Sequence, residues 1–174
     1  MIVIVLFVIV VILSFVFVSL GNKARKNFTF DKTPNENIIE VNEEVKFLRK
    51  NDTKSYNSGI LYLTNKRLVF FKYRFAWLGV IPFIGDAFIS IFIDKNVFVE
   101  IPIQQIIRTR FSPKITYREH GYSDEQGLTT FLTNQNDEYE FDIYVLGMAQ
   151  GEKPAILTKL EQAQKSIDIL GSFN

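Results

Sequence analysis

The chain has 174 residues, a formal net charge of +1 and no cysteine. The absence of cysteine excludes disulfides, thiolate metal sites and a cysteine nucleophile, and the balanced charge argues against a nucleic-acid-binding protein. Beyond an apolar N-terminus about 150 residues remain, which is enough for one ordinary domain but not for two.

The first predicted element is a single membrane-spanning helix over residues 1–20, MIVIVLFVIVVILSFVFVSL, which carry no charged side chain. A helix of this length is about 29 Å long, close to the ~30 Å thickness of the hydrocarbon core. Lys23, Arg25 and Lys26 follow, and basic residues tend to stay on the cytoplasmic side. We therefore expect a retained anchor in the cell membrane, with its N-terminus outside and residues 21–174 in the cytoplasm.

The alternative is a cleaved signal peptide, for which Ser19-Leu20-Gly21 offers small residues at the cleavage site. A signal peptide carries its basic segment before an apolar run of only ~7–15 residues. Here the order of charge is reversed and the run is longer, so the sequence favours the anchor.

Residues 21–37 are polar, rich in Asn and Lys, and contain the helix breaker Pro34, which predicts a juxtamembrane linker. A flexible chain of this length has an end-to-end distance of about 20–25 Å and would keep the next domain close to the bilayer. Lys23, Arg25 and Lys26 either attract anionic headgroups, at ~1 kcal/mol for each basic residue, or only set the topology.

Residues 38–174 are predicted to form one antiparallel β domain. Ile60–Thr64 and Arg67–Tyr73 are rich in β-branched and aromatic residues. The dipeptide Asn65-Lys66 between them predicts a tight turn, because Asn tolerates a positive φ. This segment is therefore expected to be a hairpin.

A second hairpin is predicted from the alternation of apolar and acidic residues over 138–145, which is typical of a strand with one solvated face. Its partner strand carries Leu128, Thr130 and Leu132, and residues 134–137 form the turn. Three further strands are predicted more weakly, over Val45–Lys50, Val97–Pro102 and Ile106–Phe111.

Helical periodicity is found near the C-terminus, over 153–170. Apolar residues recur there at spacings of three and four, at Ile156, Leu160, Ala163, Ile167 and Leu170. Pro154 suits the first turn of this helix, and Gly171 suits the position just past its end. The order is about seven strands and then one helix, which should close one end of a small barrel or sandwich.

Two segments carry a resemblance to a known family. GILYLTNKRLVFF, residues 59–71, resembles the core hairpin of the GRAM domain and of related bacterial pleckstrin-homology-like (PH-like) domains. IPIQQIIRTRF, residues 101–111, resembles a later segment of the same family, and the similarity covers roughly residues 38–170. The resemblance implies a mainly β, PH-like barrel of two nearly orthogonal sheets with a C-terminal capping helix, and a role in binding membrane lipid or protein.

Phosphoinositide-binding members of that family carry a basic residue in the loop after the first strand and a basic pair on the second strand. Lys50 and Lys54 are the candidates for the loop, but Ile60–Thr64 contains no basic residue. This departure argues against stereospecific phosphoinositide binding. Lys66 and Arg67, at the hairpin turn, are candidate contacts for phosphate, although exposed charges at turns are usually only solvated.

The stretch Phe75–Ile93 is too apolar for an ordinary exposed loop, since Asp86 is its one charge. It is long enough to cross a bilayer, but a second crossing would split the strands of one sheet across the membrane. Glycines and Pro82 interrupt it, as expected of a segment that enters the membrane and bends back.

We therefore predict that this insertion dips into the inner leaflet, with Trp77 at the interface and Phe83 and Phe88 as further contacts for lipid or for a partner. The alternative is that it packs on its own domain, on the N-terminal helix or on a second copy of the chain, because apolar runs more often belong to a protein core.

Catalysis is not predicted. His120 lies in the polar stretch 117–127, which reads as a mobile loop, and the chain has no P-loop, dinucleotide fingerprint or zinc-protease motif. Three carboxylates on one strand, Glu138, Glu140 and Asp142, could hold a cation, but a solvated face opposite Arg108 and Arg110 is the simpler interpretation. No cofactor or metal site is expected.

The sequence thus predicts a non-catalytic binding module at the cytoplasmic membrane surface, which contacts anionic lipid or a membrane protein. The alternative is a structural or assembly subunit that uses the apolar insertion and a sheet edge to hold a partner protein or a second copy of itself.

Trp77 is the only tryptophan of the chain, so its fluorescence reports on the insertion alone. In proteoliposomes, lipids that carry a quencher in the inner acyl region should quench this fluorescence, and quenchers in water should not. Absence of quenching by the lipid-borne group would rule out contact of Trp77 with lipid.

Overall fold

The computed structural model describes residues 2–49, 57–75, 90–112, 116–118, 121–123, 128–133, 138–143 and 155–171. These residues form two helices, α1 (Ile2–Asn27) and α2 (Ala155–Gly171), and nine strands. The strands are β1 (Ile38–Arg49), β2 (Asn57–Thr64), β3 (Arg67–Lys72), β4 (Val99–Pro102), β5 (Ile106–Ser112), β6 (Thr116–Arg118), β7 (Gly121–Ser123), β8 (Leu128–Thr133) and β9 (Glu138–Ile143). Two 3-10 turns lie at Ser90–Phe92 and Ile103–Gln105.

Seven strands form one antiparallel sheet in the order β4-β3-β2-β1-β9-β8-β5. The central strand β1 pairs with β2 from Ile38 to Phe47 and with β9 from Val45 to Arg49. Its register shifts twice along β2, and such irregularities bend a strand and increase its twist. Among the described residues no pairing joins the edge strands β4 and β5, and the sheet therefore does not close into the predicted barrel.

Both predicted hairpins are present, because β2 pairs with β3 across Asn65-Lys66 and β8 pairs with β9. The first turn does not use the predicted positive φ at Asn65, because Asn35 is the one described non-glycine residue with a positive φ. The turn is held instead by the hydroxyl of Thr64, which accepts the backbone N–H groups of Lys66 and Arg67 at 3.1 and 2.9 Å.

Other strands differ from prediction in their bounds. β1 begins at Ile38, seven residues before the predicted start at Val45. Within the stretch 117–127, predicted as a mobile loop, β7 and most of β6 form a separate two-stranded sheet. Short hairpins of polar residues have little apolar alternation, so periodicity does not reveal them.

The core lies between one face of the sheet and α2. It contains apolar side chains from the four neighbouring strands β1 to β4, from the turn after β4, from the start of β5 and from α2, namely Val45, Phe47, Leu61, Leu63, Leu68, Phe70, Ile101, Ile103, Ile106, Ile156, Leu157 and Leu160. Strand residues that point to one face alternate along the chain, as expected for a pleated sheet. The amphipathic C-terminal helix therefore covers the sheet, as predicted.

The helix α2 begins at Ala155 and includes Gly171, which was expected just past its end. Two residues of the predicted apolar stripe, Ile156 and Leu160, are fully buried, and Leu157 next to them adds to the contact. The Lys159 ammonium pairs with a carboxylate of β1, Glu40. Burial of the stripe and this ion pair fix α2 on the sheet.

The opposite face of the β2–β3 hairpin is also apolar and buried. Ile60, Tyr62, Val69, Phe71 and Tyr73 form a second cluster, which is covered by Phe28, Phe30 and Ile93. Strands buried on both faces read as continuous apolar runs instead of alternating ones. This two-sided burial explains why residues 60–63 and 68–71 are apolar without interruption.

The predicted linker 21–37 is not a flexible tether. α1 continues past Leu20 to Asn27, and residues 28–37 then pack against the sheet, where Phe28, Phe30 and Glu36 take part in buried contacts. α1 is the one helix of the described residues that is long and apolar enough to cross a membrane. Its apolar side chains are largely exposed, for example Phe7 at 68% and Phe15 at 74%.

The first residue of the resemblance motif, Gly59, lies in β2 where no side chain fits. A Cβ atom there would lie 2.0 Å from the backbone oxygen of Phe71 and 2.7 Å from the ring of Phe70. We expect Gly59→Ala to lower the free energy of unfolding by about 3 kcal/mol, the upper part of the range for overpacked sites, in denaturant titrations followed by circular dichroism.

Ser58→Ala, at the half-buried neighbouring position, is the control and should change stability by less than about 1 kcal/mol. Equal stability of the two variants would show that the sheet yields at Gly59 without cost.

Candidate functional site

The junction between α1 and the sheet contains the densest polar contacts of the described residues. We call residues 28–37 the junction segment. It crosses the outer face of the β2–β3 hairpin and ends beside the hairpin turn, where it meets Lys66 and Arg67. Two of the predicted binding residues therefore lie at this place.

A buried ion pair joins the junction segment to the hairpin. The Glu36 side chain is fully buried. Its carboxylate accepts hydrogen bonds from Arg67 Nε at 2.8 Å and from Arg67 Nη2 at 2.9 Å. Thr64 donates its hydroxyl to the same carboxylate at 2.8 Å. Arginine is suited to this position because its planar fork matches the two carboxylate oxygens.

Glu36 also closes a turn within its own segment. Its carboxylate accepts the backbone N–H of Thr33 at 2.8 Å and the hydroxyl of Thr33 at 3.1 Å. Burial alone would raise the pKa of Glu36, but the hydrogen bonds from Arg67, Thr33 and Thr64 outweigh it and lower the pKa from 4.5 to about 2. The carboxylate is therefore charged at every physiological pH.

Arg67 is fully engaged in structure. Besides Glu36, it donates to the backbone oxygen of Asp31 at 2.8 Å, pairs with Glu100 of β4 at 2.9 Å and stands 5.9 Å from the centre of the Phe30 ring. Its side chain is only 12% exposed. The Glu36 carboxylate is the main reason that the pKa of Arg67 is raised. Arg67 therefore holds the junction segment against the hairpin, and its guanidinium has few N–H groups left to bind a phosphate.

The hairpin turn itself grips the same segment. Lys66 Nζ donates to the backbone oxygen of Pro34 at 2.6 Å. The Asn65 side chain donates to the oxygen of Asn35 at 3.0 Å and accepts the N–H of Asn37 at 2.9 Å. The positive φ of 61° at Asn35 turns the chain back toward these groups, which asparagine tolerates better than most residues.

Aromatic side chains complete the attachment. The Phe28 ring lies 4.8 Å from Phe71 with an edge-to-face geometry, and the Phe30 ring lies 5.1 Å from Tyr62 and 5.3 Å from Phe71. Burial, and secondarily the charge of Glu43, raises the pKa of Tyr62 to about 12. Edge-to-face pairs at such distances contribute about 0.5–1.5 kcal/mol each beyond the burial of their area.

The three basic residues at the end of α1 do not act as one cluster. The Arg25 guanidinium pairs with Glu43 of β1 at 3.0 Å and donates to Asn22 at 2.9 Å, with 12% of the side chain exposed. Lys23 and Lys26 are exposed. One basic residue thus holds the helix to the sheet, and two point away from it.

The two ends of the apolar insertion meet beside α1. Tyr73 and Ile93 form an isolated β-bridge, the N–H of Arg74 binds the oxygen of Phe92 at 2.9 Å, and the rings of Phe75 and Phe92 lie 5.1 Å apart. The 3-10 turn Ser90–Phe92 contacts α1. Trp77, Phe83 and Phe88 lie outside the described residues, as do Lys50, Lys54 and His120.

The acidic strand β9 is separated from β5 by β8. In the register of these strands, Arg108 and Glu138 both flank Leu132, and Arg110 and Glu140 both flank Thr130. Within the part of the chain that the structure describes, no group of three or more acidic or histidine residues could hold a metal ion.

Sequence reasoning missed Glu36, which is the centre of the site. A signal was present, because Thr33 and Glu36 form the Thr-x-x-Glu pattern of a helix capping box. Here the Glu36 carboxylate accepts the Thr33 N–H, as in that pattern, but the Glu36 N–H binds the backbone oxygen of Thr33 instead of its side chain. The two bonds close a turn that no helix follows.

The lowered pKa of Glu36 predicts a pH-dependent stability. The contribution of the ionised carboxylate is present above the unfolded pKa of 4.5 and is lost as the pH falls toward the folded pKa of about 2. We expect Glu36→Gln to cost about 3 kcal/mol at pH 7 and to flatten the loss of stability between pH 4.5 and 2, measured by urea titration.

Asp31→Asn is the matched control, because the Asp31 side chain is exposed and Arg67 contacts its backbone oxygen. The control should retain the stability and the acid response of the natural chain. If Glu36→Gln did the same, the clamp would have no energetic role.

Among solved structures, the chain is similar to the Vps36 N-terminal PH domain, with a TM-score of 0.44 and 10% sequence identity, over 79% of this chain and 85% of that one. No protein family model matches the chain, and no curated protein matches it. A likeness at this level assigns neither a family nor a ligand.

Proposed function

We propose that this chain is a single-pass membrane protein whose α1 is the anchor and whose cytoplasmic part is one PH-like domain of the GRAM type, acting as a non-catalytic binding module at the membrane surface. The observation that carries the proposal is the direct passage of an exposed apolar helix into a domain that is clamped to its end. The described part of the domain leaves most apolar side chains of this helix exposed, and the hydrocarbon of a membrane is the environment that suits them.

The clamp supports a position of the domain next to the bilayer. Arg25 joins the last turns of α1 to β1, and Phe28 and Phe30 follow at once on the sheet. Because no flexible spacer separates the two, the domain is held at a fixed height below the headgroups. A module that reads lipids or membrane proteins gains from this, since fewer degrees of freedom are lost when it binds.

The insertion supports contact with the membrane. Ser14, Phe17, Gly21 and Ala24 are less exposed than the helix positions between them, and their spacing puts them on one face of α1. The turn Ser90–Phe92 contacts the same helix. The apolar stretch Phe75–Ile93 therefore starts and ends beside the anchor, as an insertion into the inner leaflet requires.

The PH-like assignment rests on two supports. Residues 59–71 and 101–111 carry the family resemblance, and the antiparallel strands form a sheet over a core that the C-terminal helix covers. Anionic lipid or a membrane protein is the proposed ligand, and no cofactor is part of the proposal.

A second candidate function, an assembly subunit, is favoured by a groove between β5 and α2. This groove has a volume of about 400 Å³. It is lined by four isoleucines, Ile103, Ile106, Ile107 and Ile167, and by four polar residues, Gln104 of the turn after β4 and Glu161, Gln164 and Lys165 of α2. Ile107 is 62% exposed. β5 is an edge strand of the described sheet, and an edge beside a groove with both apolar and polar side chains suits the addition of a strand from a partner protein.

The topology is testable because the chain has no cysteine. Single cysteines at two exposed positions, Lys32→Cys and Thr158→Cys, should react with a membrane-impermeant maleimide only after the cells are lysed. The protein should also resist extraction from membranes by alkaline carbonate. Labelling of both cysteines in intact cells would place the domain outside and contradict the proposal.

Salt dependence separates the two functions. A chain of residues 28–174 keeps Phe28 and Phe30 on the hairpin and should be tested for sedimentation with neutral and anionic vesicles at low and high salt. Binding to anionic vesicles that weakens steeply with salt supports headgroup recognition, since screening acts on exposed charges. Absence of binding to either vesicle favours the assembly subunit, because an apolar protein interface does not need lipid.

A further inference from the structure

The helix α1 has one face that packs toward the domain and another that is exposed. At 100° per residue, Arg25 shares a face with Gly21 and Ser14, which is the less exposed face. Lys23 and Lys26 instead share a neighbouring face with residues nearer the middle of the helix. Of the three basic residues, Arg25 therefore contacts the domain, and Lys23 and Lys26 are exposed.

The second face forms a shallow groove. Its volume is about 500 Å³, and its described lining lies on α1, namely Phe15, Val18, Ser19, Asn22, Lys23, Lys26 and Asn27. Along the helix this lining changes from apolar through small and polar to basic. Phe15 and Val18 are 74% and 44% exposed, and both lysines are exposed.

This order of side chains matches the depth profile of a membrane leaflet. With Leu20 at the boundary of the hydrocarbon core, Phe15 lies about 7 Å inside it and Val18 about 3 Å inside, at 1.5 Å per residue. Lys23 lies about 4.5 Å on the other side, within the headgroup layer of some 5–8 Å per leaflet, and Lys26 lies about 9 Å on that side, at the outer edge of this layer, from which its long side chain can reach a phosphate.

We infer that this face of α1 is a binding site for one anionic phospholipid of the inner leaflet, whose phosphate lies between Lys23 and Lys26 and whose acyl chain lies along Phe15 and Val18. The inference rests on the proposed function, because it requires α1 to span the membrane with these lysines on the cytoplasmic side. Arg25 does not belong to the site, since its guanidinium is bound to Glu43 and Asn22.

Charge selects the occupant. Neither Lys23 nor Lys26 has a carboxylate partner among the described residues, so the two ammonium groups are available to a phosphate. A zwitterionic lipid offers the same acyl chain, but its own amine competes for that phosphate. The site should therefore prefer a lipid with net negative charge over a neutral one of equal chain length.

The test is native mass spectrometry of the full chain in detergent, titrated with phosphatidylglycerol and phosphatidylcholine of identical acyl chains. Detergent removes the question of topology, which Lys23 and Lys26 also influence. The natural chain should bind the anionic lipid about tenfold more tightly. Lys23→Gln/Lys26→Gln should bind both lipids equally, with phosphatidylcholine binding unchanged.

Lys32→Gln/Lys95→Gln removes the same charge at exposed positions outside the groove and should keep the preference. Phe15→Ala should weaken the binding of both lipids alike, and glycerol phosphate without acyl chains should not compete. Equal binding of the two lipids by the natural chain, or a preference that survives in Lys23→Gln/Lys26→Gln, would overturn the inference.

Failure of this site and failure of the proposed function are distinguishable. If cysteine labelling places the domain in the cytoplasm but the lipid preference is absent, the anchored binding module stands and the lipid site on α1 falls. If labelling places the domain outside, both fall.

Discussion

The buried ion pair of Glu36 and Arg67 is the contact on which the arrangement of the molecule depends. It connects three parts of the chain that are far apart in sequence, since Arg67 binds the junction segment through Glu36 and Asp31 and binds β4 through Glu100. Burial of a charge is costly unless its partners are complete, and here each carboxylate oxygen of Glu36 receives at least two hydrogen bonds. A pair of this kind tolerates one geometry and so selects one path for the segment.

The clamp is needed because the β2–β3 hairpin is apolar on both faces. The core and α2 cover one face, and the other would expose Tyr62 and Phe71 without the junction segment. Full burial of a large apolar side chain contributes about 1.5–3 kcal/mol, and the partly buried Phe28 and Phe30 contribute a part of this to stability. The segment that sequence analysis described as a linker is thus a part of the folded domain.

The sequence was informative where composition or a regular period marks an element. The hairpin 60–73 followed from β-branched and aromatic residues on either side of a turn, whereas the strand 138–145 and the stripe from Ile156 to Ile167 followed from period two and period 3.6. The structure contains the hairpin, the strand over its described residues 138–143 and the helix. The apolar N-terminal helix followed from a run of residues without charge, except at its C-terminal end. Residues 21–27 extend that helix because Lys, Ala and Arg have a high helix propensity and because Arg25 pairs with Glu43 of β1.

What the sequence did not reveal depends on pairs that meet across long separations. Glu36 lies in a polar stretch that resembles many exposed loops, and only its approach to Arg67, 31 residues later, gives it a role. Lys66 and Arg67 were predicted as ligand contacts because the sequence alone does not show that residues 34 and 36 are their partners. Two register shifts in β1 and the hairpin β6–β7 likewise leave no periodic trace.

The continuity of α1 with the clamped segment fixes the angle of the domain around the axis of α1. A helix turns by 100° and rises by 1.5 Å with each residue, so one residue inserted between Ser14 and Arg25 would swing the whole sheet around the helix axis by more than a quarter turn. Two such chains that pack along their helices would have their domains face each other, or face apart, according to which helix side is in contact. The rotational position of Arg25 on its N-terminal helix therefore determines which side of that helix the domain occupies.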